Sequence, residues 1–151
     1  MNSADLARRL DNLIRLGTVA EVDHARARCR VKTGGLLTAW LPWGTRRAGD
    51  TRTWCPPTVG EQVLVLSPSG EPGAGIVITG VYTEAHDQPS SSADDHLTDW
   101  PDGAREHYDH AAHHYTLDVP AGGRITLRCG ASRVEIDNDG VRIVAPRIDL
   151  N

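Results

Sequence analysis

From Val134 to Leu150 apolar and polar residues alternate almost without interruption, in VEIDNDGVRIVAPRIDL. A period of two is the mark of strands with one buried face. The alternation starts earlier, in RITLRCG, where Ile125, Leu127 and Cys129 point one way and Thr126 and Arg128 the other. In SRVEIDNDG, Val134 and Ile136 alternate with Glu135 and Asp137. In the last segment Val141 and Ile143 alternate with Arg142 and Val144; Pro146 interrupts, and Ile148 and Leu150 resume. Asn138-Asp139-Gly140 is a sharp turn signal, because Asn and Gly tolerate positive φ.

The opening stretch has a different period. Leu6, Leu10, Leu13 and Ile14 fall on one helical face, with Arg8, Arg9, Asp11 and Asn12 mostly opposite. This predicts a short helix from about Ala4 to Leu16, capped by Ser3 and ended by Gly17, within an N-terminal element spanning 1–17. So short a helix is marginal alone and must dock on something. From Thr18 the pattern turns to strands: TVAEVD and ARCRVKT, divided near His24-Ala25, then LLTAWLPWG, EQVLVLSP and GIVITGVYT. The continuous apolar run in EQVLVLSP reads as buried on both faces. Five short strands joined by Gly/Pro turns over 18–83 predict a small barrel or sandwich. Residues 84–103, with their Ser run and several Asp, read as a polar linker. Residues 104–151 hold a hairpin, with Glu106 and Tyr108 on one face and Tyr115, Leu117 and Val119 on one face of the return strand, and then the alternating tail.

Composition narrows the class. Hydrophobic residues make up 39% of the 151-residue chain and Phe is absent, which suffices for a small core only. The 15 Gly and 9 Pro favour turns over long helices. Net charge is −4, and no Lys/Arg stripe runs along the chain, so nucleic acid is a poor partner. The N-terminus has no apolar signal-peptide core, and no run approaches a membrane span, so synthesis and folding in a cytoplasm are expected. Cys29, Cys55 and Cys129 are odd in number and far apart, fitting neither a disulfide framework nor a zinc knuckle.

The tail poses a physical problem. Each segment offers two or three apolar side chains, each worth about 1.5–3 kcal/mol when fully buried. Ordering the backbone costs about 1–2 kcal/mol per residue. Three segments alone therefore make no core, and their uncovered edges would template aggregation. The strip either folds back on the barrel or packs on copies of itself about a symmetry axis. In the second case three chains place Ile125, Leu127, Cys129, Val134, Ile136, Val141 and Ile143, and beyond them Ile148 and Leu150, on a common axis, with Thr126, Arg128, Glu135, Asp137 and Arg142 outside.

NLIRLGTVAEVDHARARCRVKTGGLLTAWLPW, followed by TWCPPTVGEQVLVLSPSGEPGAGIVITGVY, resembles the baseplate assembly protein V family. These are the central spike proteins of contractile-tail phages, related to type VI secretion spikes. The resemblance is close over Leu6 to Tyr82 and continues through WPDGAREHYDHAAHHYTLDVPAGG and the tail. It implies a mainly β chain: a short helix, an OB-fold-like barrel, and a C-terminal intertwined triple-stranded β-helix in a homotrimer. It implies a needle at the centre of the baseplate, in a virion or a phage-tail-like bacteriocin, driven through the host outer membrane when the sheath contracts. The tail hub and other baseplate proteins are the implied partners, with Leu6, Leu10, Leu13 and Ile14 as candidate hub contacts or as packing on the chain's own barrel. Longer members end in a His-x-His tip that binds a metal. Here no His follows His114 and Asn151 stands at the needle tip, so no cofactor or metal is expected; the needle is blunt, capped by a separate tip protein, or shortened.

Other constellations are weaker. His107, His110, His113 and His114 crowd into eight residues, but neighbours on a hairpin face opposite ways, so a zinc site is not expected. Asp94, Asp95 and Asp99 sit in the stretch read as linker, with nothing to fix them as an acid pair. Ser90 to Ser92 lack a nucleophile elbow, and Gly70 to Gly75 lack the Lys and helix of a phosphate loop. No enzymatic role is expected. The alternative function is an OB-fold module for oligonucleotide or sugar, with Trp40, Trp43 and Trp54 as possible stacking surfaces.

Overall fold

A computed structural model describes residues 2–150. The chain divides into two compact units, Met1–Asp87 and Gln88–Asn151. Both are mainly β, with one short helix at the start.

In the first unit, α1 spans Ser3–Leu13. Asn2 caps it, its side chain accepting the Asp5 N–H at 2.8 Å, so the cap is one residue earlier than the expected Ser3. The helix also ends before Gly17. The Leu13 carbonyl accepts the Ser67 N–H at 2.8 Å, and from Ile14 the chain is taken into a sheet. Strand pairing overrides the helical period here, because β1, Ile14–Asp23, pairs with β4, Gln62–Leu66, from its first residue. Ile14 is thus a strand residue, not a helical one.

The ten residues of β1 serve two partners. Its first half pairs with β4 and its second with β2, Arg28–Thr33, with a register shift between Val19 and Glu21 that bends the strand. The sheet order is β3-β2-β1-β4-β5, with β3 at Leu36–Leu37 and β5 at Ile76–Ile78. Residues 38–44, expected to form a full strand, instead make a bridge that closes the sheet. Cys29 and Leu41 exchange backbone hydrogen bonds at one end, and Gly44 and Val77 bond at the other. The closed interior holds Val19, Cys29, Val31, Leu41, Val63, Val65 and Val77. Gly17 permits the tight crossing of β1 over β2, since a Cβ there would overlap Val31 Cγ1 and the Lys32 carbonyl. The β4 run is buried on one face only: Val63 and Val65 are interior, while Leu64 is half-buried and Leu66 exposed.

The second unit contains two three-stranded antiparallel sheets. The first joins β6 (Asp95–Asp99), β7 (Arg105–Asp109) and β8 (His114–Asp118). Strand β6 lies inside the stretch expected to be a linker. It is held by polar contacts, which hydrophobic periodicity does not register. The second sheet is a meander of β9 (Ile125–Cys129), β10 (Ser132–Asp137) and β11 (Gly140–Val144). The expected resumption at Ile148 and Leu150 makes no ladder among the described residues, and both side chains are exposed.

Candidate functional site

The β9–β10–β11 register sorts the alternating residues. Val134 stands opposite both Leu127 and Ile143; Ile136 stands opposite both Ile125 and Val141. Directly paired residues share a face. One side of the sheet therefore carries Ile125, Leu127, Cys129, Val134, Ile136, Val141 and Ile143 together. The other side carries Thr126, Arg128, Arg133, Glu135 and Arg142, with Val144 opposite Arg133.

The two faces differ in how far their own chain satisfies them. On the polar side Arg133 pairs with Glu135 at 3.1 Å, and Arg124 with Asp137 at 3.0 Å. The apolar side is bare: Leu127 and Val141 are each 65% exposed and Ile143 is 54% exposed. An open apolar groove runs between Leu127, Val134, Ile143 and Ala145. Cys129 is exposed at its rim. Asn151 lies outside the described residues.

The β6–β8 sheet fixes the acidic residues that the sequence left loose. Asp99 takes a two-pronged bond from Arg105, at 2.6 and 2.8 Å, which holds its carboxyl below the usual range. Asp95 accepts the Ser90 hydroxyl at 2.5 Å and contacts His107 Nε2 at 2.9 Å; both lower its pKa, the Ser90 bond most. The carboxylate sits between hydroxyl and imidazole, so it takes the hydroxyl's proton bond itself. A nucleophilic arrangement needs the imidazole in that middle place. Tyr115 donates to Glu106 at 2.7 Å, which raises the phenol's pKa. His110 meets Asp94 at 2.9 Å. Among the described residues no three His, Cys, Asp or Glu side chains converge as metal ligands.

In the first unit the helix turns its polar side inward. Asp5, Arg9 and Asn12 are its half-buried positions, and Asn12 reaches the Gly70 carbonyl at 3.5 Å. Leu6, Leu10 and Leu13 stay exposed. Packing of that leucine face on the chain's own barrel is therefore not what occurs. The leucines lead instead into the outer face of the sheet, where Ile14 pairs with Leu66 and Leu66 with Ile76. Leu16, Leu64 and Ile78 form the next row. Sequence reasoning missed this strand surface because it treated EQVLVLSP as buried throughout.

Residues 15–82 match the family model of the type VI secretion system/phage-baseplate injector OB domain. The spike protein of Escherichia phage P2 is 44% identical over 131 residues, covering 83% of this chain and 62% of the relative. Residues 15–82 thus carry the injector OB domain, and the chain as a whole is similar to a phage spike protein. The family match covers the closed barrel almost from end to end, β1 through β5, and bears out the resemblance read from the residues. The longer similarity to the P2 spike protein must reach beyond the barrel, since 131 residues exceed the first unit. The chain spans about 62% of that relative's length.

Proposed function

We propose that the chain is a structural, non-enzymatic central spike of a contractile-tail baseplate, working as a trimeric needle. The bare face of the β9–β11 sheet carries this reading. Seven apolar side chains share one side of a sheet whose opposite side is ion-paired and polar. Three such sheets, turned inward about one axis, bury that face and leave Thr126, Arg128, Glu135 and Arg142 outside. Ile148 and Leu150 continue the strip and find ladder partners in neighbouring chains. Interlocked chains give stiffness, because no strand leaves without breaking bonds to its neighbours. A charged exterior does not adhere to lipid as the needle crosses the host outer membrane. The outward leucine face of α1, with Ile14, is the surface for the tail hub. Assembly in the bacterial cytoplasm and residence in the virion or a bacteriocin particle follow from this role. A separate tip protein remains compatible with it.

The test is the solution mass by light scattering after size exclusion. The intact chain is expected at three times 16.4 kDa. Ile143→Asp places a charge where the three faces meet and is expected to leave monomers or aggregates. A monodisperse monomer for the unaltered chain overturns the proposal.

A further inference from the structure

The barrel carries a second surface, unlike the apolar ones. Between His24 and Gly60 the sequence holds seven Lys and Arg but one acid, Asp50, in a chain of net charge −4. Some of these bases are internally neutralised: Arg26 pairs with Asp23 at 2.7 Å and Arg30 with Glu21 at 3.0 Å. Among the described residues Arg28, Arg47 and Arg52 have no carboxylate within ion-pair reach. Arg28 donates only to the carbonyls of Arg26 and Ala27. These three arginines line one cleft of about 470 Å³ with Trp43, Trp54 and Thr45.

The cleft is held in shape before any ligand arrives. Thr45 and Thr53 hydroxyls meet at 2.8 Å, and the Thr53 N–H bonds the Arg47 carbonyl at 3.0 Å. Ala48 bridges Arg52 across the loop. Trp43 and Trp54 lean on each other, centroids 5.5 Å apart and tilted 54°. Trp54 remains 60% exposed, in the same cleft as the three unpaired arginines. All these residues belong to one barrel, so the cleft exists whatever the state of the second unit.

We propose that this cleft docks an extended acidic segment of a partner protein, its carboxylates on Arg28, Arg47 and Arg52 and a planar or apolar side chain on Trp54. Arg forks match carboxylates in pairs, and a short Arg cluster recognises acidic motifs. Nucleic acid fits less well. Single strands use successive stacking platforms along a basic track. Here Trp43 is engaged by Trp54, leaving a single stacking position, and the free bases are grouped rather than strung out.

The probe is a fluorescein-labelled nonapeptide of four Glu, one Tyr and four Glu, followed by anisotropy at low salt, with a nine-nucleotide oligothymidine of equal charge in parallel. The peptide is expected to bind saturably and more tightly than the oligonucleotide. Arg47→Glu with Arg52→Glu weakens it about tenfold or more, and Arg47→Lys with Arg52→Lys by about threefold, because charge remains while the fork is lost. Trp54→Ala weakens it about fivefold. Arg128→Glu, in the other unit, leaves it within about twofold. All substituted side chains are exposed, and unchanged melting verifies the fold. Tighter binding of the oligonucleotide, equal loss with Arg128→Glu, no effect of Trp54→Ala, or no peptide binding each overturns the proposal.

Discussion

Two buried hydroxyls in the barrel behave oppositely, and the difference is legible only residue by residue. Thr38 is 2% exposed; its Oγ1 accepts the Val31 N–H at 2.9 Å and donates to the Ala39 carbonyl at 2.9 Å. It replaces the ladder bond that Val31 lacks where β3 stops short. Ser67 is equally buried, but among the described residues its Oγ has no partner. Removing a bonded group strands its partner, at about 1–3 kcal/mol, whereas removing an unbonded one strands nothing. Thr38→Val is therefore expected to lower the urea stability of the barrel by that amount, and Ser67→Ala to leave it unchanged or higher. The reverse order would show that the two sites are wrongly distinguished. Gly70 is constrained differently. Its φ is +71°, and a Cβ there would overlap the backbone of Arg9, so it sets how closely α1 approaches the turn before β5.

At the scale of elements, the β6–β8 sheet rests on charge where the barrel rests on valines. Asp95 and Asp99 have folded-state pKa values below the ordinary 3.8. A carboxyl with a lowered folded pKa adds stability that is fully present above its unfolded value. That contribution fades as pH falls below about 3.8 and through the folded values. Tyr115 has the opposite sign: its raised pKa favours the fold below the ordinary 10.0, and that part is lost as pH rises through the folded value. Acid titration followed by circular dichroism is expected to show the second unit weakening below pH 4. Asp95→Asn with Asp99→Asn is expected to be less stable at neutral pH and to have a flatter acid limb. Parallel limbs in the two proteins would contradict the role given to these contacts. The same sheet explains why a linker was expected here: its positions bear Asp, His and Thr, and no apolar alternation announces the strand.

For the whole molecule, the decisive quantity is how much apolar surface one chain leaves bare. The β9–β11 face and the α1–β1–β4–β5 surface are both uncovered, and among the described residues no helix is long and apolar enough to cross a membrane. Cysteine accessibility reads out the first of these. In one chain Cys55 and Cys129 are both exposed, and Cys29 is buried with its thiol pKa raised by desolvation. Cys129 shares the face that the trimer would close; Cys55 lies on the barrel. Native labelling is expected to modify Cys55 quickly, Cys129 slowly and Cys29 last. With Ile143→Asp, Cys129 should label as fast as Cys55. Fast labelling of Cys129 in the unaltered protein would mean that the face stays open.

The sequence by itself determined the β character of both units, the turns, and the membership of one apolar set in the tail, because a period of two assigns side chains to faces whatever the strands pair with. It also carried the family resemblance, in a string of specific residues between Leu6 and Tyr82. Only the tertiary structure decided where α1 stops, since the pull of β4 on Ile14 is a long-range bond that no local propensity contains. It decided that the helix leucines face outward, because helical spacing defines a stripe but not the direction in which it points. It drew β6 out of a polar stretch through Ser90, Arg105 and His107, partners distributed along the chain. It also gathered Arg28, Arg47, Arg52, Trp43 and Trp54 into one cleft, from positions whose spacing carries no period at all.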